Sequence, residues 1–203
     1  MVSSAIAKQI PHYPCETQNI NHRMTAQEQD LDLIRRMASG DENAMHELYA
    51  TYGQRLYTYA LRLTNDHAVA EDVTQETLVI AWRSAGNFRG EGRLIAWLLG
   101  IVHHSALKSL RHVSQPLEDA IPAGNASPEE QAQVEEMKRW VRKGLQDLST
   151  EHRAVLELVF YQGLTLQEVA EVCNCPLGTV KSRLSYARRH LRGVLGRSEE
   201  IWR

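Results

Sequence analysis

The sequence predicts an all-α chain of two small helical domains joined by a flexible linker, the C-terminal one carrying a helix-turn-helix. Three observations predict it. Apolar residues recur at helical spacing along both halves, with no alternating run of strand period. The stretch SQPLEDAIPAGNASPEE breaks that pattern with Pro, Gly, Ser and Asn. Near the C-terminus a capped helix, a tight turn and a basic helix follow one another.

Residues 1–28 form an N-terminal extension with no helical pattern, interrupted by Pro11 and Pro14. The extension lacks the basic start and apolar stretch of a secretion signal, so the chain is expected to stay in the cytoplasm. Hydrophobic residues make up 43% and charged residues 24% of the 203, values of a globular protein, and no apolar run reaches the length of a membrane span.

The first domain is expected over 29–112. Leu33, Ile34 and Met37 lead to a stop at Gly40-Asp41, after which Ala44, Leu48, Tyr52, Leu56, Tyr59 and Leu63 mark a second helix ending at Asn65-Asp66. A third, from about Asp66 to Ser84, carries Val69, Val73, Thr77 and Ile80 on one face, with Asp72, Gln75, Glu76 and Val79 turned elsewhere. AGNFRGEGR is a loop. A fourth helix, Leu94 to His112, has an apolar side including Trp97, Leu98, Ile101, Ala106 and Leu110.

The linker is placed at 113–127 and the second domain at 128–197, followed by a tail at 198–203. Ser127-Pro128-Glu129-Glu130 supplies an N-cap, a proline at the first helical position and an acid at the third. Val134, Met137, Val141, Leu145 and Leu148 form one core stripe. Ser149 caps the next helix, whose stripe is Ala154, Val155, Leu158 and Val159. Thr165 and Glu168 make a capping box, with Leu164 stapled to Val169. That helix runs to about Cys173, turns through Asn174-Cys175-Pro176 and resumes with Val180, Leu184, Ala187 and Leu191 inward.

Charge follows this division. The formal net charge is only −2, yet Pro176 to Arg197 holds six Lys or Arg and no acid, while Val113 to Glu136 holds six acids and no base. An unopposed basic stripe is the footprint of phosphate binding. In a helix-turn-helix the second helix enters the major groove, which makes Lys181, Ser182, Ser185 and Tyr186 candidate base readers and Arg183, Arg188, Arg189 and Arg192 phosphate clamps. Cys173 and Cys175 lack the two further ligands of a closed zinc site, and His103 and His104, adjacent on a helix, do not face one ion, so no metal or cofactor is expected. No HExxH, G-x-S-x-G or phosphate-cradling glycine loop argues for an enzyme. A helix-turn-helix regulator that never joins a polymerase stays open on these residues.

LTLQEVAEVCNCPLGTVKSRLSYARRHLR resembles the promoter-binding helix-turn-helix of bacterial sigma factors, in particular the two-domain extracytoplasmic-function group. DLDLIRRMASGDENAMHELYATYGQRLYTYALRLT and AEDVTQETLVIAWRSAGNFRGEGRLIAWLLGIVHHSALKSLRH resemble sigma domain two of that group, so the likeness spans about 30–195. It implies a protein without catalysis of its own that binds core RNA polymerase and directs it to promoter DNA, under control of an anti-sigma factor. By the same resemblance Glu71 to Trp82 docks on the beta-prime subunit through Asp72, Gln75, Glu76 and Val79. Asn87, Phe88, Arg89, His103, His104, Lys108 and Arg111 serve the minus-10 element, and Thr179 joins the minus-35 set. The chain departs from the family at His103 and His104, where Arg or another polar residue followed by Asn is usual, and at Tyr186, where a basic residue is common.

Overall fold

A computed structural model describes residues 25–112, 144–145 and 147–201; the expected linker, the Ser127 cap and the stripe from Val134 to Val141 lie outside them. All elements among the described residues are helical.

Local chemistry sets the helix ends. Helix α1 (Ala26–Ala38) starts three residues before the expected boundary, in a capping box of Thr25 and Glu28. Asp41 caps α2 (Glu42–Thr64), which stops at Asn65 in the left-handed conformation, φ 57°. Asparagine tolerates that region better than most residues. Asp66 then accepts from the Val69 amide and starts α3 (His67–Ser84). A 3₁₀ turn (Ala85–Asn87) and a loop lead to α4 (Leu94–His112). Gly90 sits at φ +74°, and a Cβ there would meet a methyl of Leu31 at 2.8 Å, so this tight passage of the loop over α1 favours glycine.

In the C-terminal unit α5 (Thr150–Leu156) runs into a π-helical turn (Glu157–Tyr161), in which the Gln162 amide donates to the Glu157 carbonyl at 3.0 Å. Helix α6 (Leu166–Val172) opens on the Thr165/Glu168 capping box, with Leu164 and Val169 both buried. Asn174, at φ 46°, makes the turn into α7 (Leu177–Ile201).

Two stripes differ from the periodicity reading. Helix α4 buries Leu94, Ile95, Leu98, Leu99, Val102, His103 and Ala106, leaving Trp97 and Ile101 partly exposed at its edge. On α3 the inner face is Ala70, Val73, Thr74, Thr77 and Ala81, with Val69 and Ile80 half-buried. Thr74 and Thr77 fit that core by donating to the carbonyls of Ala70 and Val73, both at 2.7 Å.

The buried apolar residues of both units form one contiguous cluster, from Leu33 to Ala187. The chain is therefore closed on itself, α4 lying against α6 and α2 against the α5 end.

Candidate nucleic-acid interface

The basic helix presents its charge outward. Its buried stripe, Val180, Leu184, Ala187 and Val194, leaves Lys181, Ser182, Ser185, Tyr186, Arg188, Arg189 and Arg192 exposed. Four cations on one helix face are held there without an acid on the same helix between Leu177 and Arg197. Tyr186 is 52% exposed, its ring 4.5 Å from that of His152 on α5 and 6.5 Å from that of His190. Arg188 lies 5.1 Å from the centre of the Phe160 ring, a cation–π distance that leaves its N–H groups free at the rim. Thr179 is half-buried at the start of the helix.

Arg183 does not join the outward set expected of it. One turn from Val180 and next to Leu184, it falls on the shoulder of the buried stripe, where a guanidinium N–H donates to Cys175 Sγ at 3.9 Å. Partly buried against the core, the Cys173 thiol is pushed up to about 12 by desolvation.

The second candidate cluster lies at the loop and the outer side of α4. Phe88 packs against Trp97 with ring centres 5.2 Å apart, while Asn87 and Arg89 are exposed beside them. His104 is exposed on the same side, and its Nδ1 pairs with the Gly100 carbonyl at 2.6 Å. In the neutral ring that bond places the proton on Nδ1 and leaves Nε2 as an acceptor facing out. Arg111 is exposed further along, and Lys108 is 3.7 Å from Glu76 on α3.

His103 is the correction. It is 4% exposed and paired with the Tyr59 hydroxyl at 2.9 Å, so it does not join the outward-facing set. Burial pushes its imidazole down to about 4; His104 and Arg183 push the same way, and Glu151 pulls weakly back. Adjacent helical residues point about 100° apart, so when His104 faces out His103 faces in.

On α3, Asp72, Gln75 and Val79 are exposed and Glu76 is half-exposed, all clear of the inner stripe. Val79, at 46%, is one of five large apolar side chains exposed among the described residues.

A third set of residues was not singled out by sequence. Glu157, 1% exposed, receives two hydrogen bonds from Arg62 Nη1 on α2, at 2.7 and 3.0 Å. Arg55 on the same helix donates to the Gln162 side chain at 3.2 Å and to its carbonyl at 3.0 Å. Arg93 donates to the Gly163 carbonyl at 3.1 Å and lies 3.7 Å from Glu168. Desolvation raises the Glu157 carboxyl despite the opposing pull of Arg62. Partners 95 or 107 residues apart leave no trace in a local pattern.

Comparison with known proteins fits this arrangement. The family model described as Sigma-70 region 2 matches residues 48–115, and that of Sigma-70, region 4 matches 144–193. The RNA polymerase sigma-H factor of Pseudomonas aeruginosa is 32% identical over 179 residues, which are 81% of this chain and 93% of that protein. The ECF RNA polymerase sigma factor SigK of Mycobacterium tuberculosis is 33% identical over 175 residues, 82% of this chain and 94% of that one. Among solved structures, the sigma factor RpoE of Bartonella quintana, determined in complex with the anti-sigma factor NepR, superposes with a TM-score of 0.62 at 27% identity, covering 74% of this chain and 96% of its own. CnrH, solved in complex with the cytosolic domain of CnrY, gives 0.63 at 26% identity, over 82% and 97%. With both regions present in order and relatives matched almost end to end, the chain belongs to the extracytoplasmic-function group of sigma-70 RNA polymerase sigma factors.

Proposed function

We propose that this sigma factor carries core RNA polymerase to its promoters by dividing the work between two faces: α7 for the minus-35 element and the loop side of α4 for the minus-10 element. The observation that carries the reading is the run of exposed cations on α7, directly behind a capped α6 and a turn at Asn174. Lys181, Ser182, Ser185 and Tyr186 stand where base edges are met in this motif, and Arg188, Arg189 and Arg192 flank them as phosphate contacts. Thr179 sits at the N-terminal end of the same helix. On the other face Phe88 and Trp97 offer an aromatic surface, with Asn87, Arg89, His104, Lys108 and Arg111 as polar and cationic partners for an unstacked base and its backbone.

Polymerase docking is assigned to the exposed part of α3, with Asp72, Gln75 and Glu76 around the apolar Val79. Domain two spans 29–112 with the Thr25 cap, and domain four 128–197, joined by 113–127. The protein performs no catalysis itself and works in the cytoplasm; none of the described helices is long and apolar enough to cross a membrane. Solved relatives held by an anti-sigma factor support the same mode of control here. Transcription in vitro with purified core polymerase on a promoter library tests the whole reading: the expected result is initiation at a defined class of promoters. Binding to DNA without core association would instead identify a free-standing regulator.

A further inference from the structure

On the minus-10 face the fold settles the hydrogen-bonding role of one side chain, His104. It is exposed and lines a cleft of about 570 Å³ together with Phe88 and Trp97. Its Nδ1 stands 2.6 Å from the Gly100 carbonyl oxygen, one helical turn back. A carbonyl only accepts, so Nδ1 must donate and carries the proton. A neutral imidazole has a single N–H, which leaves Nε2 with a bare lone pair. Helix geometry builds this arrangement: residues four apart share a face, and a helical side chain leans back toward the N-terminus. Gly100 has no side chain to contest that space. Turning the ring over would break the bond, so the role of Nε2 is fixed.

The other groups of the cleft leave base identity open. Phe88 and Trp97, ring centres 5.2 Å apart, offer a stacking surface, and stacking tolerates every base. Arg89, Lys108 and Arg111 match phosphates, which carry no sequence information directly. Arg93 on the cleft wall is engaged by Glu168 and by the Gly163 carbonyl. Asn87 presents an amide that both donates and accepts, and serves either kind of edge. His104 Nε2 only accepts. Adenine and cytosine meet it with an exocyclic amine, whereas guanine and thymine carry a carbonyl oxygen at the corresponding position. The ring N–H of those two bases lies next to that carbonyl, so an acceptor reaching it also meets the carbonyl lone pairs.

We propose that His104 selects an amino-bearing base, adenine or cytosine, at the captured minus-10 position, by accepting a hydrogen bond from the exocyclic amine at Nε2. The proposal rests on the assignment of this cleft to promoter DNA. It gives the departure from asparagine at this place a chemical content: an amide can turn to serve a donor or an acceptor, and the tethered imidazole removes that choice.

The test uses the full chain bound to core polymerase and fork-junction DNA whose non-template minus-10 strand is single. Each position carries each of the four bases in turn, at pH 8, where imidazoles are neutral. At one position adenine or cytosine should bind about fivefold more tightly than guanine or thymine, the worth of one hydrogen bond. His104 is exposed, so its substitution leaves the fold intact. His104→Ala should level the four bases at that position. Replacing adenine there by purine, which lacks the amine, should cost the wild type about fivefold and His104→Ala nothing, which isolates the single contact. His104→Lys, a donor only, should favour guanine and thymine. Equal losses on all four bases in His104→Ala would show that the side chain touches the strand without reading it, and overturn the proposal while the minus-10 assignment stands. A cost of purine that persists in His104→Ala places the reader elsewhere and does the same. Unchanged binding of every DNA by both His104→Ala and Arg89→Ala would overturn the assignment of the cleft itself.

Discussion

The buried imidazole of His103 makes stability depend on pH in a predictable direction. Its folded-state value is about 4, against about 6.5 in an unfolded chain. A depressed value means that the unfolded chain binds the proton first, so the contribution is complete above pH 6.5 and is lost as pH falls toward 4. Between pH 7.5 and pH 5 the linkage amounts to about 2 kcal/mol, a sizeable share of the 5–15 kcal/mol that holds an ordinary domain. Other histidines and carboxylates titrate over the same interval, so the measurement must be differential. Urea unfolding of the wild type and of His103→Gln, which keeps a hydrogen-bonding group opposite the Tyr59 hydroxyl without an ionisation, isolates the imidazole. The wild type should lose about 2 kcal/mol more than the variant on going to pH 5. An equal loss in both proteins would refute the burial argument, because a solvated imidazole at this place contributes no differential term. A chemical-shift titration of the His103 ring gives the same answer directly: it should remain neutral at pH 5.

Further outcomes follow from the surfaces. Lys181→Ala should change base preference at the minus-35 element, whereas Arg192→Ala should weaken binding to every sequence and flatten the salt slope by about 0.9, as one lost phosphate contact does; equal losses on specific and random DNA for both would contradict the division of roles. Charge reversal at Asp72 and Glu76 should abolish co-migration with core polymerase and move stability by no more than about 0.5 kcal/mol, and a cooperative melt lost in the variant would mark the two acids as structural. Thr165→Ala removes the side-chain acceptor of the Glu168 amide at 3.2 Å and should cost about 1 kcal/mol in thermal unfolding, with an unchanged melt arguing against the cap.

How far the sequence could be read depended on the range of the interaction. The starts of α2 and α3 at Asp41 and Asp66 and the α6 capping box are written within four residues, and α4 over Leu94–His112 follows from its apolar pattern and the glycine-rich loop before it. The exposed face of α7 follows likewise from the spacing of Val180, Leu184 and Ala187. His103 escaped because its partner Tyr59 lies 44 residues away, and a polar residue on an apolar helix is read as surface until that partner is known. Arg183 escaped for a milder reason: it sits at the edge of the stripe, where a rotation of a few tens of degrees separates a DNA contact from an intramolecular one. The pairing of Glu157 with Arg62 needed both the long-range fold and a helical irregularity with no local signature.

That irregularity ties the contact between the two units to residue count. A π turn holds one residue more than the α-helix would need to cover the same path, so the segment Glu157–Tyr161 behaves as a one-residue insertion absorbed within a helix. Shortening it by one position would restore regular winding, turn Gln162 away from α2 and still deliver the chain to the Thr165 cap. The contact with α2 therefore depends on the length of this segment as well as on the residues it carries.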